Sequence, residues 1–251
     1  MIRLVDRNAA ILIIGNEILT GKIQDENTPF LARELFSLGI RLERVIVCPD
    51  DIDTIARDLR ELRTSHDVVF TSGGVGPTHD DLTLDAVAKS FDTPIARSGE
   101  MEALIRAHFG ERTTEDHLRM ALMPVGARLV HGFDVAWPTV AIENVYVLPG
   151  VPEILRRKFS VIRKELDRGE TFFSEAVFTL ADEGEIAGIL HELTRAFPAL
   201  VIGSYPKMPG AADHRVKVTF DGKDEADVSA AAEAFVTKLP REKFLRRERV
   251  I

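Results

Sequence analysis

The chain has 251 residues, with 40 acidic and 32 basic side chains and a formal charge of −8. That balance opposes binding to nucleic acid, which needs a basic footprint. It leaves room for a small phosphorylated ligand whose charge is met locally. No apolar run reaches the roughly 18 residues of a membrane span. Charges interrupt Met1–Asn8 before any signal-like core, and Cys48 is the only cysteine, so no intrachain disulfide forms. These features together predict a cytoplasmic protein.

In chain order, Ala9–Ile14 is a continuous apolar run ending at Gly15, as suits a parallel strand buried on both faces. A helix follows from about Thr28, with Leu31, Leu35 and Leu38 on one face and Gly39 ending it. Leu42–Cys48 reads as a second strand. Asp51 then caps a helix whose apolar positions are Ile52, Ile55, Leu59 and Leu62. Val68–Ser72 is a third strand, and Leu84, Val87, Ala88 and Phe91 mark another amphipathic helix. Val145–Leu148 is a later strand that turns through Pro149 and Gly150 into a helix carrying Leu155, Phe159 and Ile162.

Strand and helix alternate, which predicts an α/β fold with a mostly parallel sheet covered on both faces. Ligands bind such sheets beyond the carboxyl ends of the strands. The polar clusters Gly15-Asn16-Glu17, Pro49-Asp50-Asp51, Gly73–Asp81 and Pro149-Gly150 all follow strands, so four segments are expected at one edge. A polar break at Lys164–Glu170 divides residues 1–168 from a small α+β unit, 169–251. In that unit the pattern gives a strand at Phe172–Leu180, a helix at Glu185–Phe197, strands at Leu200–Ser204 and Arg215–Phe220, and a helix at Ala226–Leu239. The charge-rich stretch from Arg241 to Ile251 reads as a fraying end.

Thr71-Ser72-Gly73-Gly74-Val75-Gly76-Pro77-Thr78-His79-Asp80-Asp81 is the most informative stretch. Glycine lets main-chain N–H groups approach a ligand closely, and the helix that follows aims its free N–H groups at the same place. Gly73, Gly74, Gly76 and Thr78, with Pro149 and Gly150, are therefore candidate phosphate contacts. The spacing matches neither a P-loop nor the dinucleotide fingerprint. Asp80 and Asp81 are either first-turn acids favouring a helix start or, beside the glycines, ligands for a divalent cation. Asp51 reads as a cap, so Asp50 is the candidate catalytic acid together with Asp81. Glu17, directly after the first strand, is equally a solvated loop residue or a metal ligand. His79 reads as a solvated loop residue and Cys48 as a small buried one. No histidine pair has zinc-ligand spacing.

Several stretches resemble the molybdenum-cofactor-biosynthesis family, that is, the molybdopterin-binding MoaB/Mog-like domains, and in particular its CinA and eukaryotic FAD synthase branches. They are Gly15-Asn16-Glu17-Ile18-Leu19-Thr20-Gly21, Pro49-Asp50-Asp51, Thr71–Thr83, Ala121–Ala127 and Leu148–Glu153; Ala181-Asp182-Glu183 and Ile202–Pro206 resemble the FAD synthase version. The resemblance implies a three-layer α/β/α domain, an appended KH-like α+β subdomain, and a homo-oligomer, dimer or trimer. The appended unit has no G-x-x-G clamp, so RNA binding is not expected. The resemblance also implies a metal-dependent pyrophosphatase acting with Mg²⁺, Mn²⁺ or Co²⁺ on a dinucleotide such as ADP-ribose or FAD. Asp80, Asp81 and Glu17 would hold the metal. Its alternatives are a non-catalytic molybdopterin-binding module and a molybdopterin adenylyltransferase. Asn16 departs from the family, where an aspartate is common.

Overall fold

The computed structural model describes residues 7–132, 135–208, 210 and 213–250. The readings made on residues 1–6 and on Ile251 lie outside them. The chain divides into two compact units, Met1–Arg168 and Gly169–Ile251.

In the first unit, β1 (Asn8–Ile14), β2 (Arg41–Cys48), β3 (Val68–Ser72) and β8 (Val145–Leu148) run parallel in the order β2-β1-β3-β8. Two antiparallel strands, β7 (Val135–Ile142) and β6 (Arg128–Gly132), extend the sheet beyond β8. Strand side chains alternate between faces. Ala9, Ile11 and Ile13 of β1 therefore enter one core cluster, and Ala10, Leu12 and Ile14 the other. The first cluster is closed by α2 (Asn27–Ser37) and α7 (Pro152–Leu166), through Leu31, Leu35, Leu155, Phe159 and Ile162. The second is closed by α3 (Ile52–Ser65), α4 (Thr83–Ser90) and α5 (Gly99–Phe109), through Ile55, Leu59, Val87 and Ile105. The result is a three-layer α/β/α fold. The short helices α1 (Asn16–Leu19) and α6 (Glu115–Arg119) and the antiparallel pair β4 (Ile95–Arg97) and β5 (Leu122–Pro124) complete the unit.

The second unit is an antiparallel sheet in the order β10-β11-β9-β12. Its strands are β9 (Phe173–Thr179), β10 (Val201–Pro206), β11 (Val216–Gly222) and β12 (Phe244–Arg249). Helices α8 (Glu183–Ala196) and α9 (Glu225–Lys238) bury Ile186, Leu193, Val228 and Phe235 in a core of their own. The fraying expected from Arg241 onward does not occur over Phe244–Arg249. This stretch pairs with β9, and its charges are matched rather than solvated: Arg247 meets Glu175 and Glu233, and its guanidinium donates to the Ser229 carbonyl at 3.0 Å. Charge on an edge strand also discourages pairing with a foreign strand.

No helix among the described residues is long and apolar enough to cross a membrane.

Candidate functional site

Because β1, β3 and β8 are parallel, the turns after Ile14, Ser72 and Leu148 leave the sheet at one edge. They pack backbone against backbone. Gly73 has φ +113°, and a Cβ there would lie 2.1 Å from the Ile14 carbonyl oxygen, so no other residue fits without moving the chain. The buried Asn27 ties the edge together, its amide donating to Ser72 Oγ at 2.9 Å and to the Gly150 carbonyl at 2.8 Å. The glycine loop closes on itself where the Thr83 N–H donates to the Gly74 carbonyl at 3.0 Å and the Thr83 hydroxyl to the Gly73 carbonyl at 2.8 Å.

Two carboxylates organise the loop interior. Asp81 Oδ2 accepts from the Thr78 N–H at 2.7 Å. The Thr78 hydroxyl lies 2.6 Å from an Asp80 oxygen and 2.5 Å from Asp81 Oδ2, donating to one at a time. The Thr78 hydrogen bond holds the Asp80 carboxyl below its usual range. Both acids precede α4, whose own first-turn acid is Asp85, so they shape the loop rather than the helix start.

Beside this loop opens a cavity of about 770 Å³, within the range of small-molecule sites. Glu17, Gly74, Gly76, Asp81, Pro149 and Gly150 line it. Among the described residues, the N–H groups of Gly74, Val75 and Gly76 donate to no protein acceptor. The helices starting here, α4 and α7, lack an N-cap side-chain hydrogen bond, as α1 and α2 do, whereas α3, α5 and α6 are capped by Asp51, Ser98 and Thr114. Pro152 has no N–H, the Ile154 N–H donates to the Val151 carbonyl at 3.1 Å and the Thr83 N–H to the Gly74 carbonyl, so what the two uncapped starts offer is chiefly the positive end of each helix dipole.

Four expected site residues, Gly73, Asp50, Thr78 and Asp80, stand differently, while His79 and Cys48 were not expected in the site. The Gly73 N–H donates to the Leu148 carbonyl at 3.1 Å, so it belongs to the packing of the turns and is not a donor to a ligand. Asp50 is not on the cavity wall. Its carboxylate accepts from the Asn16 N–H at 2.9 Å and fixes the turn that carries Glu17. Thr78 and His79 border a separate open groove, and Asp80 lines neither space. Cys48 is buried at the end of β2, its thiol pushed up to about 12 by desolvation.

The far wall was not visible in the sequence. Phe109 stacks on His117 with ring centroids 3.8 Å apart and planes at 9°, and Trp137 lies 6.0 Å from Phe109. Lys158 also lines the cavity. Its ammonium donates to the Trp137 carbonyl at 3.0 Å and the Pro138 carbonyl at 2.7 Å, and desolvation lowers its pKa from 10.5 to about 8. One signal could have found it: Leu155, Lys158, Phe159 and Ile162 follow the i, i+3, i+4, i+7 spacing of a buried stripe, with a lysine in an apolar position.

Fold and site together define an α/β domain with a small-molecule-sized cavity at a glycine-lined sheet edge. Residues 10–168 match the family described as "Probable molybdopterin binding domain", and the chain belongs to that family. Residues 171–248 match the family "FAD synthase, middle domain". The chain is 34% identical to a protein of Archaeoglobus fulgidus over 226 residues, covering 90% of this chain and 95% of that one. It is 31% identical to a "Probable FAD synthase" of Caenorhabditis elegans, covering 93% of this chain but only 49% of the relative, so it spans about half of that protein. The crystal structure of the protein CinA with unknown function from Thermoplasma acidophilum matches with a TM-score of 0.60 at 30% identity, covering 64% of this chain and 98% of that one.

Proposed function

We propose that the protein is a divalent-metal-dependent pyrophosphatase acting on a dinucleotide such as FAD or ADP-ribose. The observation that carries this reading is the row of three unpaired N–H groups, Gly74 to Gly76, on the cavity wall next to Asp81 and the open start of α7. Donors fixed in advance around one phosphoryl group stabilise the charge that grows there in the transition state. Water adds to one phosphorus as its bond to the bridging oxygen breaks, and two monophosphates leave.

Among the described residues, no three His, Cys, Asp or Glu side chains converge to hold a metal unaided. The donors present do suit a hard cation completed by substrate oxygens and water, as Mg²⁺ is usually bound. Asp81 and Glu17 both line the cavity, and neither forms an ion pair with a lysine or arginine among the described residues. A cation held by these two carboxylates would supply Lewis-acid polarisation and a more acidic water. Asp50 and Asp80 act one step back, Asp50 through the Asn16 amide and Asp80 through the Thr78 hydroxyl that it shares with Asp81.

The test is AMP release from FAD and ADP-ribose with Mg²⁺, Mn²⁺ or Co²⁺. Asp81→Ala is expected to cut turnover by about 10²-fold or more. Wild-type turnover no higher than that of Asp81→Ala would end the reading. A second reading, a module that holds a pterin without cleaving anything, is favoured by the description of the matched family. Saturable pterin binding without AMP release would select it, and transfer of AMP from ATP to the pterin would select an adenylyltransferase.

A further inference from the structure

The aromatic wall and Lys158 are not among the phosphate contacts proposed above. Phe109, His117 and Trp137 bring three rings to the cavity wall, Phe109 and His117 stacked on each other, and an aromatic wall favours a planar ring. An ammonium inside such a space is costly unless its N–H groups are matched. Two of the three donors of Lys158 go to the carbonyls of Trp137 and Pro138. Among the described residues no carboxylate pairs with it, so one donor and the whole charge remain for an occupant.

We propose that Lys158 is a specificity-determining residue that reads a carbonyl or anionic acceptor on the edge of a planar heteroaromatic ring held along Phe109, His117 and Trp137. The site then selects nucleotides and pterins whose ring carries such an oxygen over those whose ring carries an amino group at the same edge, so of the two dinucleotides above it favours FAD, through its isoalloxazine carbonyls, over ADP-ribose, whose only heteroaromatic ring is adenine. This rests on reading the cavity as the ligand site, but not on hydrolysis.

Trp137 is the only tryptophan of the chain, so its fluorescence reports the cavity directly. GMP and AMP share a phosphate, a ribose and a purine frame; GMP has a carbonyl at C6 where AMP has an amino group, and an extra amino group at C2, so IMP, with the C6 carbonyl alone, is titrated beside them and should follow GMP. Titration of the full chain should show GMP binding about tenfold tighter than AMP, the scale of one hydrogen bond to a charged group. The preference should fall below about twofold in Lys158→Met. FMN and 6-hydroxymethylpterin, titrated alongside, support the assignment if either weakens in Lys158→Met, and the larger loss names the ring system. Equal binding of GMP and AMP by the wild type overturns it, as does a preference that survives in Lys158→Met. If that variant melts early because two backbone carbonyls lose their donor, Lys158→Gln, neutral but still a donor, gives the same comparison. A protein that binds these ligands and cleaves no dinucleotide would defeat the pyrophosphatase reading and leave this one standing.

Discussion

The cavity edge of the first unit and the helix starts and edge strand of the second unit use hydrogen bonds in opposite ways. In residues 169–251, α8 opens with a capping box between Asp182 and Glu185, α9 is capped by Asp224 through the Ala226 and Asp227 amides, and Arg247 is matched by two carboxylates. At the cavity, α4 and α7 start without caps, the Gly74–Gly76 amides have no acceptor, and Lys158 has no counter-charge among the described residues. Matched groups stabilise the fold, and unmatched ones await a partner. A cluster of unmatched donors lining one cavity is where function is expected.

The contrast can be tested, beginning with the largest effect. Gly73→Ala forces a Cβ toward the Ile14 carbonyl at a positive φ, where neither backbone can yield. It should cost about 2–4 kcal/mol and lower the melting temperature by several degrees. An unchanged melting temperature would mean that the three turns are not packed as described. Lys158 gives the next effect. Its pKa is depressed in the folded chain, so below about pH 8 the buried charge weighs against folding, and that burden is relieved as pH rises from about 8 toward 10.5. Chemical unfolding at several pH values should show wild-type stability gaining on Lys158→Met across that window, by at most about 1.4 kcal/mol per pH unit. A flat difference would show that the ammonium is solvated. The smallest effects come as a pair. Asp182→Ala in the capped unit should cost about 1 kcal/mol and leave ligand binding untouched. Val151→Asp at the open start of α7 should add about 0.5–1 kcal/mol while weakening the binding of phosphorylated ligands. If Val151→Asp strengthened that binding, the α7 start would not be an anion site.

Much of the fold was legible because its strongest elements are self-contained. β1 is apolar at every residue from Ala9 to Ile14 because both faces are covered, and Leu31, Leu35 and Leu38 are all buried at helical spacing. The glycine loop was equally plain, since its shape depends on residue types next to one another. The far wall was hidden for the opposite reason. Phe109, His117 and Trp137 come from three separate elements between residues 99 and 142, joined by short strands with little periodicity. Nothing local announces that they meet. Asp50 misled because an acid after a strand looks the same whether it faces a ligand or the Asn16 amide. β12 was hidden because the cross-strand partner that neutralises Arg247, Glu175, lies some seventy residues upstream.

Cys48 has a practical consequence. Buried and held as the thiol, it gives little thiolate for maleimides or iodoacetamide to attack. The native chain is therefore already a blank background for site-directed labelling. A single cysteine placed on the exposed rim of the glycine loop would carry the only reactive probe, and a spin label or dye there could follow ligand entry without any prior removal of native thiols.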